Sequence, residues 1–178
     1  AHELGLRGGF GDDMLRIGNV KVFMDGALGP HTAAMFQPYA GEESNRGILN
    51  IDGEELFEHG RKAAGVGLGM TVHAIGDRAN HEVLDAYEQL RRYERDNHLP
   101  ALRHRIEHVQ VLHANDAARL AELDVIASMQ PIHATSDLHR GVVGLGGCAP
   151  GFWMRGDWGP RMAAYNLTPP LLQDPAGR

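Results

Sequence analysis

Short apolar runs recur along the chain, separated by stretches with helical spacing. Val20-Lys21-Val22-Phe23-Met24, Met70-Thr71-Val72-His73-Ala74 and Ile106-Glu107-His108-Val109 are too short for helices and rich in β-branched residues, so they predict strands. The first ends at Asp25-Gly26, and the third extends back to about Leu102. Val125 to Met129 predicts a fourth strand, stopped by Pro131. Between the runs, Asp52 with Glu55 predicts a capping box ahead of Leu56, Phe57, Ala63 and Ala64, with Gly65 or Gly67 as the stop. Asp77 predicts the N-cap of a second helix, whose apolar face is Ala79, Val83, Tyr87 and Leu90. Pro100 closes that connection. A third helix, capped near Asn115, carries Ala117, Leu120, Ala121 and Leu123. Asp124 follows it where a helix-ending glycine is common, and aspartate tolerates left-handed backbone better than most residues. A glycine-rich loop over 141–151, a helix over Arg161 to Tyr165 and an irregular tail over 166–178 complete the pattern.

The order is strand, long loop, then helix and strand in alternation, which predicts a parallel sheet with covering helices. The strands are expected to be apolar on both faces, as doubly covered strands are. Four strands are too few for a closed (β/α)8 barrel, which takes about 250 residues. The loop from Gly26 to Asn50 holds Pro30, Pro38, Gly41 and Gly47, and its length marks a functional or lid segment.

Composition narrows the function classes. With 43 % hydrophobic and 22 % charged residues in 178, the chain supports one packed domain or one half of one. The net charge is −6 and Lys and Arg form no basic stripe, which argues against nucleic acid. No apolar stretch approaches the roughly 20 residues of a membrane span. One cysteine, Cys148, excludes an internal disulfide and suits a reducing cytoplasm. Histidine is abundant at 11 residues, and imidazole is the commonest transition-metal ligand. His2, His59, His81, His98, His113 and His139 fit surface or helix positions.

Chemistry concentrates at strand ends. Lys21 fits two descriptions equally: an edge-strand lysine facing water, or a buried amine of lowered pKa that adds carbon dioxide to become a carbamate. Asp25 shares its face by the two-residue period if the strand runs that far. His73 ends its strand, the usual place for active-site residues in parallel sheets, and Asp77 beyond it serves as a cap. In Arg103-His104-Arg105-Ile106-Glu107-His108 the histidines share one face, with His104 deeper and His108 at the rim. Arg103, Arg105 and Glu107 share the other face, as an internal ion-pair network beneath the site. His133, with Asp137 beyond it, is equally a substrate contact or a loop histidine satisfied by backbone. There is no phosphate-cradling glycine motif, no CxxC pair and no GxSxG elbow.

At Lys21–Gly29, Thr32-Ala33-Ala34, His73–Asn80, Arg103–His108 and Ser128–Pro131 with His133, the chain resembles the YtcJ-like branch of the amidohydrolase superfamily, the amidohydrolase 3 family. The resemblance implies a partial (β/α)8 TIM-type barrel covering about strands 4 to 7, with one or two divalent metals, usually zinc. It implies a single partial hydrolase domain over 1–178. Lys21 matches a strand-4 lysine that can be carboxylated to bridge metals, while His73 and His108 match strand-5 and strand-6 ligands. The metal would lower the pKa of water and polarise the carbonyl of an amide-type carbon–nitrogen bond. The family's strand-1 His-x-His pair and strand-8 aspartate have no match here, and Pro30-His31 replaces a small residue followed by arginine.

Three expectations follow. The first is a metal-dependent hydrolase for a small-molecule carbon–nitrogen substrate, present as part of a catalytic domain, with Asp25 and His133 on the substrate side. The second is a non-catalytic half-barrel that binds or assembles, pairing as a homo-oligomer through exposed sheet edges. The third keeps the scaffold and changes the reaction, to isomerisation or decarboxylation.

Overall fold

A computed structural model of the protein describes residues 4–130. His133, Asp137, Cys148, the helix expected over 161–165 and the tail from 166 lie outside those residues.

The described elements are β1 (Asn19–Phe23), α1 (Gly53–Ala64), β2 (Gly69–Ala74), α2 (Asp77–Asp96), β3 (Arg105–His108), a 3-10 turn (Ala114–Asp116), α3 (Ala117–Glu122) and β4 (Ile126–Ser128). The four strands form one parallel sheet in the order β1-β2-β3-β4. The α/β alternation expected from the sequence is therefore the fold, with each strand paired to the next in the chain. None of the described helices is long and apolar enough to cross a membrane.

Local chemistry explains the helices. Asp52 caps α1 by accepting from the Glu55 amide at 2.8 Å. Past the end of α1, Gly67 takes a left-handed φ of 71° that a Cβ would strain. In α2 the expected apolar face is buried: Ala79, Val83, Tyr87 and Leu90 pack with Leu84 and Ala86 against the sheet and α1. Leu56, Ala63 and Ala64 of α1 and Met70, Val72, Ala74 and Ile106 of the sheet complete this core. Each large side chain removed from water there contributes about 1.5–3 kcal/mol.

The sheet is covered on one face only among the described residues, which corrects the expectation of strands buried on both sides. In β1, Val20 and Val22 pack towards the core, while Asn19, Lys21 and Phe23 are exposed. The register aligns Lys21 with Thr71 and Thr71 with Arg105. One layer nearer the carboxyl end it aligns Phe23, His73, Glu107 and Ser128. Arg105 and Glu107 therefore sit on the same face as Lys21 and His73, not beneath the site. They pair with each other at 2.7 Å, and Arg105 also donates to Ser128 Oγ at 2.7 Å.

The buried polar network lies instead at the helix side. His104 is 0 % exposed. Its Nδ1 accepts from the Met70 amide at 3.1 Å and its Nε2 faces Glu94 Oε1 at 2.9 Å. Arg91 pairs with Glu94 at 2.8 Å and donates to the carbonyls of Leu102, Leu123 and Asp124. Those carbonyls belong to the segments entering β3 and β4, so the network ties α2 to the amino-terminal end of the sheet.

Candidate metal centre

β1 stops at Phe23, two residues short of Asp25. Met24 and Asp25 turn into the long loop, and Asp25 pairs with Leu49 in an isolated antiparallel bridge. The Asp25 carboxylate is 2 % exposed and accepts three backbone amides: Ala34 at 2.9 Å, Ile75 at 3.0 Å and Gly76 at 2.8 Å. Burial pushes its pKa up to about 6, against those amides and the nearby His108, which all favour the charged form. Asp25 thus holds the loop against the end of β2. Asp77 does the same one turn later, accepting from Phe36 N at 2.9 Å and Arg78 N at 2.8 Å. It stands at the first position of α2, with Gly76 as the N-cap. The Ala34 carbonyl accepts from Arg78 and Ala79 there. So close is the loop that a Cβ at Gly76 would lie 1.9 Å from the Ala34 oxygen.

His73 leaves the end of β2 towards this loop. Its Nε2 lies 2.8 Å from the Gly26 carbonyl oxygen and 3.6 Å from Asp25 Oδ1. A carbonyl only accepts, so His73 Nε2 carries the proton and the lone pair is on Nδ1. Desolvation lowers the His73 pKa; the Gly26 bond opposes this and the Lys21 charge adds to it. The ring is therefore a neutral imidazole at neutral pH.

His108 reaches the same place by a different route. Strand alternation puts it with His104 and Ile106, facing the helices. The backbone instead turns left-handed at His108 (φ 82°) and Val109 (φ 47°), uncommon for any residue and a genuine outlier for a β-branched one. This turn carries the imidazole to His73: the ring centroids are 4.6 Å apart, with planes at 74°. His108 Nδ1 lies 2.7 Å from Gln130 Oε1.

Lys21 is exposed and begins one layer deeper than His73, about 6.6 Å down the sheet. Its stem climbs that layer: Nζ lies 4.8 Å from the centroid of the Phe23 ring, which tilts against His73 at 5.2 Å. Partial desolvation of the amine lowers its pKa, with Glu107 opposing and Arg105 adding to the shift.

The structure thus brings His73 and His108 into ring contact and stands Lys21 beside them on the open face. Asp25 lies behind His73 within the loop anchorage. Among the described residues no three His, Cys, Asp or Glu side chains converge as a complete metal site. Two imidazoles in ring contact, next to an amine of lowered pKa, nevertheless suit a borderline divalent ion. Sequence reasoning missed Gln130 and the Gly26 carbonyl, since neither residue type signals chemistry alone. His81, expected at a surface or helix position, lies in α2, where it is half-buried and bonds the buried Asp116 at 2.9 Å.

Known proteins share much of this sequence and fold. The chain is 38 % identical over 125 residues to the protein LONG AFTER FAR-RED 3 of Arabidopsis thaliana, covering 70 % of this chain and 21 % of that protein. It is 38 % identical over 125 residues to the putative amidohydrolase YtcJ of Bacillus subtilis (strain 168), covering 69 % and 22 %. The crystal structure of an uncharacterized metal-dependent hydrolase from Pyrococcus furiosus superposes with a TM-score of 0.71 at 35 % identity, covering 82 % of this chain and 28 % of that one. The chain spans about a fifth of the length of these curated relatives. Residues 1–152 match the model of the Amidohydrolase family, and the chain belongs to that family.

Proposed function

We propose that this chain carries part of the metal centre of a hydrolase acting on non-peptide, amide-type carbon–nitrogen bonds of small molecules. The observation that carries the reading is the meeting of His73 and His108 at the carboxyl ends of adjacent strands, 4.6 Å apart between ring centroids. The Gly26 bond leaves Nδ1 of His73 as its ligating atom. Zinc is the first candidate, because it takes neutral imidazole readily. When bound, such an ion would lower the pKa of water and polarise a carbonyl. Lys21 is the third member of the set: as a neutral amine it adds carbon dioxide, releases a proton and becomes a carbamate. His133 contacts substrate in this reading, and Asp25 acts on the same side by holding the loop.

The test is zinc titration of the 178-residue chain by calorimetry, with an amidase assay in parallel. Weak zinc uptake, lost in H73A and H108A, with negligible turnover is expected. No uptake by the wild-type chain would remove the metal reading, and robust amidase activity would show that the chain holds a complete site.

A second reading is a non-catalytic binding or assembly module. It is favoured by the exposed face of β1, where Phe23 is 57 % exposed beside Lys21. In that case chains pair through their sheet edges, and sedimentation should show a concentration-dependent dimer rather than a monomer.

A further inference from the structure

We infer that Asn80 is a positioning residue for the pair His73 and His108. From inside α2 its amide ties the end of β2 to the segment leaving β3, and so holds the two rings together. The tie follows from geometry; its bearing on zinc rests on the metal-centre reading above.

Asn80 is the fourth residue of α2 and 0 % exposed, on the face that carries Ala79, Val83 and Leu84. Asparagine favours caps and turns over helix interiors, and a buried amide must find partners. Asn80 finds three. Its Nδ2 lies 2.9 Å from the Gly76 oxygen, 3.0 Å from the Val111 oxygen and 3.3 Å from the Ala74 oxygen. All three are backbone carbonyls, which only accept, so the nitrogen end of the amide must face them. Its Oδ1 is left without a hydrogen bond. An unpaired buried acceptor is costly. The orientation persists because turning the amide over would set that oxygen against three others.

The three carbonyls mark what is joined. Ala74 follows His73, and its oxygen also accepts from the Val109 amide at 3.1 Å. Val111 lies three residues beyond His108, and its amide donates to the Ile75 oxygen at 2.9 Å. Backbone bonds thus hold 109–111 through its amides, and Asn80 adds a carbonyl at the far end. Left-handed backbone at His108 and Val109 persists only where the surroundings over-determine it. Asn80 supplies part of that constraint from a helix. Asp25 works on the same stretch with the opposite chemistry, accepting from the Ile75 and Gly76 amides. The peptide groups of 74–76 are thus gripped by a carboxylate at their amides and an amide at their carbonyls. The consequence is the ring separation of 4.6 Å, which neither strand sets alone.

The experiment compares wild type, N80S and V83A by NMR of the metal-free chain, with zinc titration by calorimetry beside it. A serine hydroxyl in a helix bonds the carbonyl four residues earlier, here Gly76, and is too short to reach Val111. V83A removes packing from the same helix face and leaves the amide in place. In the wild type the Asn80 side-chain amide protons should exchange slowly with solvent and show nuclear Overhauser contacts to Val111. N80S should lose the contact between the His73 and His108 rings and bind zinc about 10-fold more weakly. V83A should keep both, and the His104–Tyr87 contact, retained in all three, checks folding. Fast exchange of the wild-type Asn80 amide protons overturns the inference, even where N80S fails to fold. A ring contact that survives in N80S, or is lost equally in V83A, also overturns it. A wild-type chain that takes up no zinc removes the metal reading and leaves the ring contacts to decide on Asn80.

Discussion

The two ends of the sheet use histidine in opposite ways. At the amino-terminal end His104 is fully buried, and both ring nitrogens are spent on protein partners, the Met70 amide and the Glu94 carboxylate. Tyr87 stacks on it at 5.1 Å. At the carboxyl end His73 and His108 are half-buried, in ring contact with each other on an open face beside an amine, with His73 against the Gly26 carbonyl and His108 against Gln130. The same side chain is a brace at one end and, in the reading proposed above, a ligand at the other. What separates them is burial: His104 is sealed among helix and strand, whereas His73 and His108 stand at the open rim. Parallel α/β folds divide their labour this way, with stability at the amino-terminal face and chemistry at the carboxyl-terminal one.

The largest expected effect separates the two roles. H104A strands Glu94 without one partner, leaves the Met70 amide unsatisfied and opens a cavity, and should cost about 3 kcal/mol in urea unfolding. H73A should cost about 1 kcal/mol or less and yet abolish zinc uptake. If instead H73A unfolds the chain and H104A leaves it stable, the division between the ends is wrong. The Asp25 clamp comes next. In D25N one of the two acceptor oxygens becomes a donor facing backbone amides. A buried N–H without an acceptor costs about 1–3 kcal/mol. Hydrogen exchange should show the Ala34 and Gly76 amides losing protection, and unchanged protection would mean that the loop is held by other contacts.

How far these ends were legible follows from what fixes each. Strand order, the α2 face and the Asp52 cap are local, and the sequence shows them through spacing and capping chemistry. His73 was legible because it ends a strand, and β2 runs just as far as the apolar run does. His108 was legible by its place at the end of a strand, but not the route by which it meets His73. The two-residue period points it at the helices, and nothing in His108-Val109 announces a left-handed turn. The open face was visible and misjudged: Asn19-Val20-Lys21-Val22-Phe23 alternates, which is the mark of a strand covered on one side. The Arg91–Glu94–His104 network joins a helix face to a strand entry, and contact of that kind has no local signal. The contact of Gln130 with His108 has none either.

The brace can be probed with acid. Burial pushes the Glu94 pKa up, but hydrogen bonds from His104 and Arg91 outweigh it and hold the group below its ordinary value. The unfolded chain therefore takes up the Glu94 proton at a higher pH than the folded chain does. The resulting stability is fully present above the ordinary glutamate pKa of about 4.3. It is lost as pH falls through the lower folded value. E94Q should start less stable at neutral pH and lose less on acidification, so the two stability–pH curves converge in acid. Parallel curves would mean that the network does not hold Glu94 in its charged form.

The smallest effect concerns backbone strain, which both ends carry for different reasons. At the rim the left-handed His108–Val109 pair aims an imidazole. Near the brace Asp124 is also left-handed, at φ 50°, immediately after α3, but it contributes only its carbonyl to Arg91 and its side chain is exposed. Strain there serves chain reversal alone, so glycine should relieve it. D124G removes a Cβ conflict of roughly 1–2 kcal/mol and a negative charge at the unfavourable end of a helix dipole. It adds back about 0.5–1 kcal/mol of glycine chain entropy. The net expectation is a gain of about 0.5 kcal/mol, or roughly 2 °C in Tm for a chain of this size, with zinc affinity unchanged. The corresponding V109G should gain no such stability, because it also empties a buried valine site, and it should weaken zinc uptake by freeing the His108 backbone. A pair of variants that behaved alike in both measurements would show that the strain at the rim has no purpose beyond the one it has near the brace.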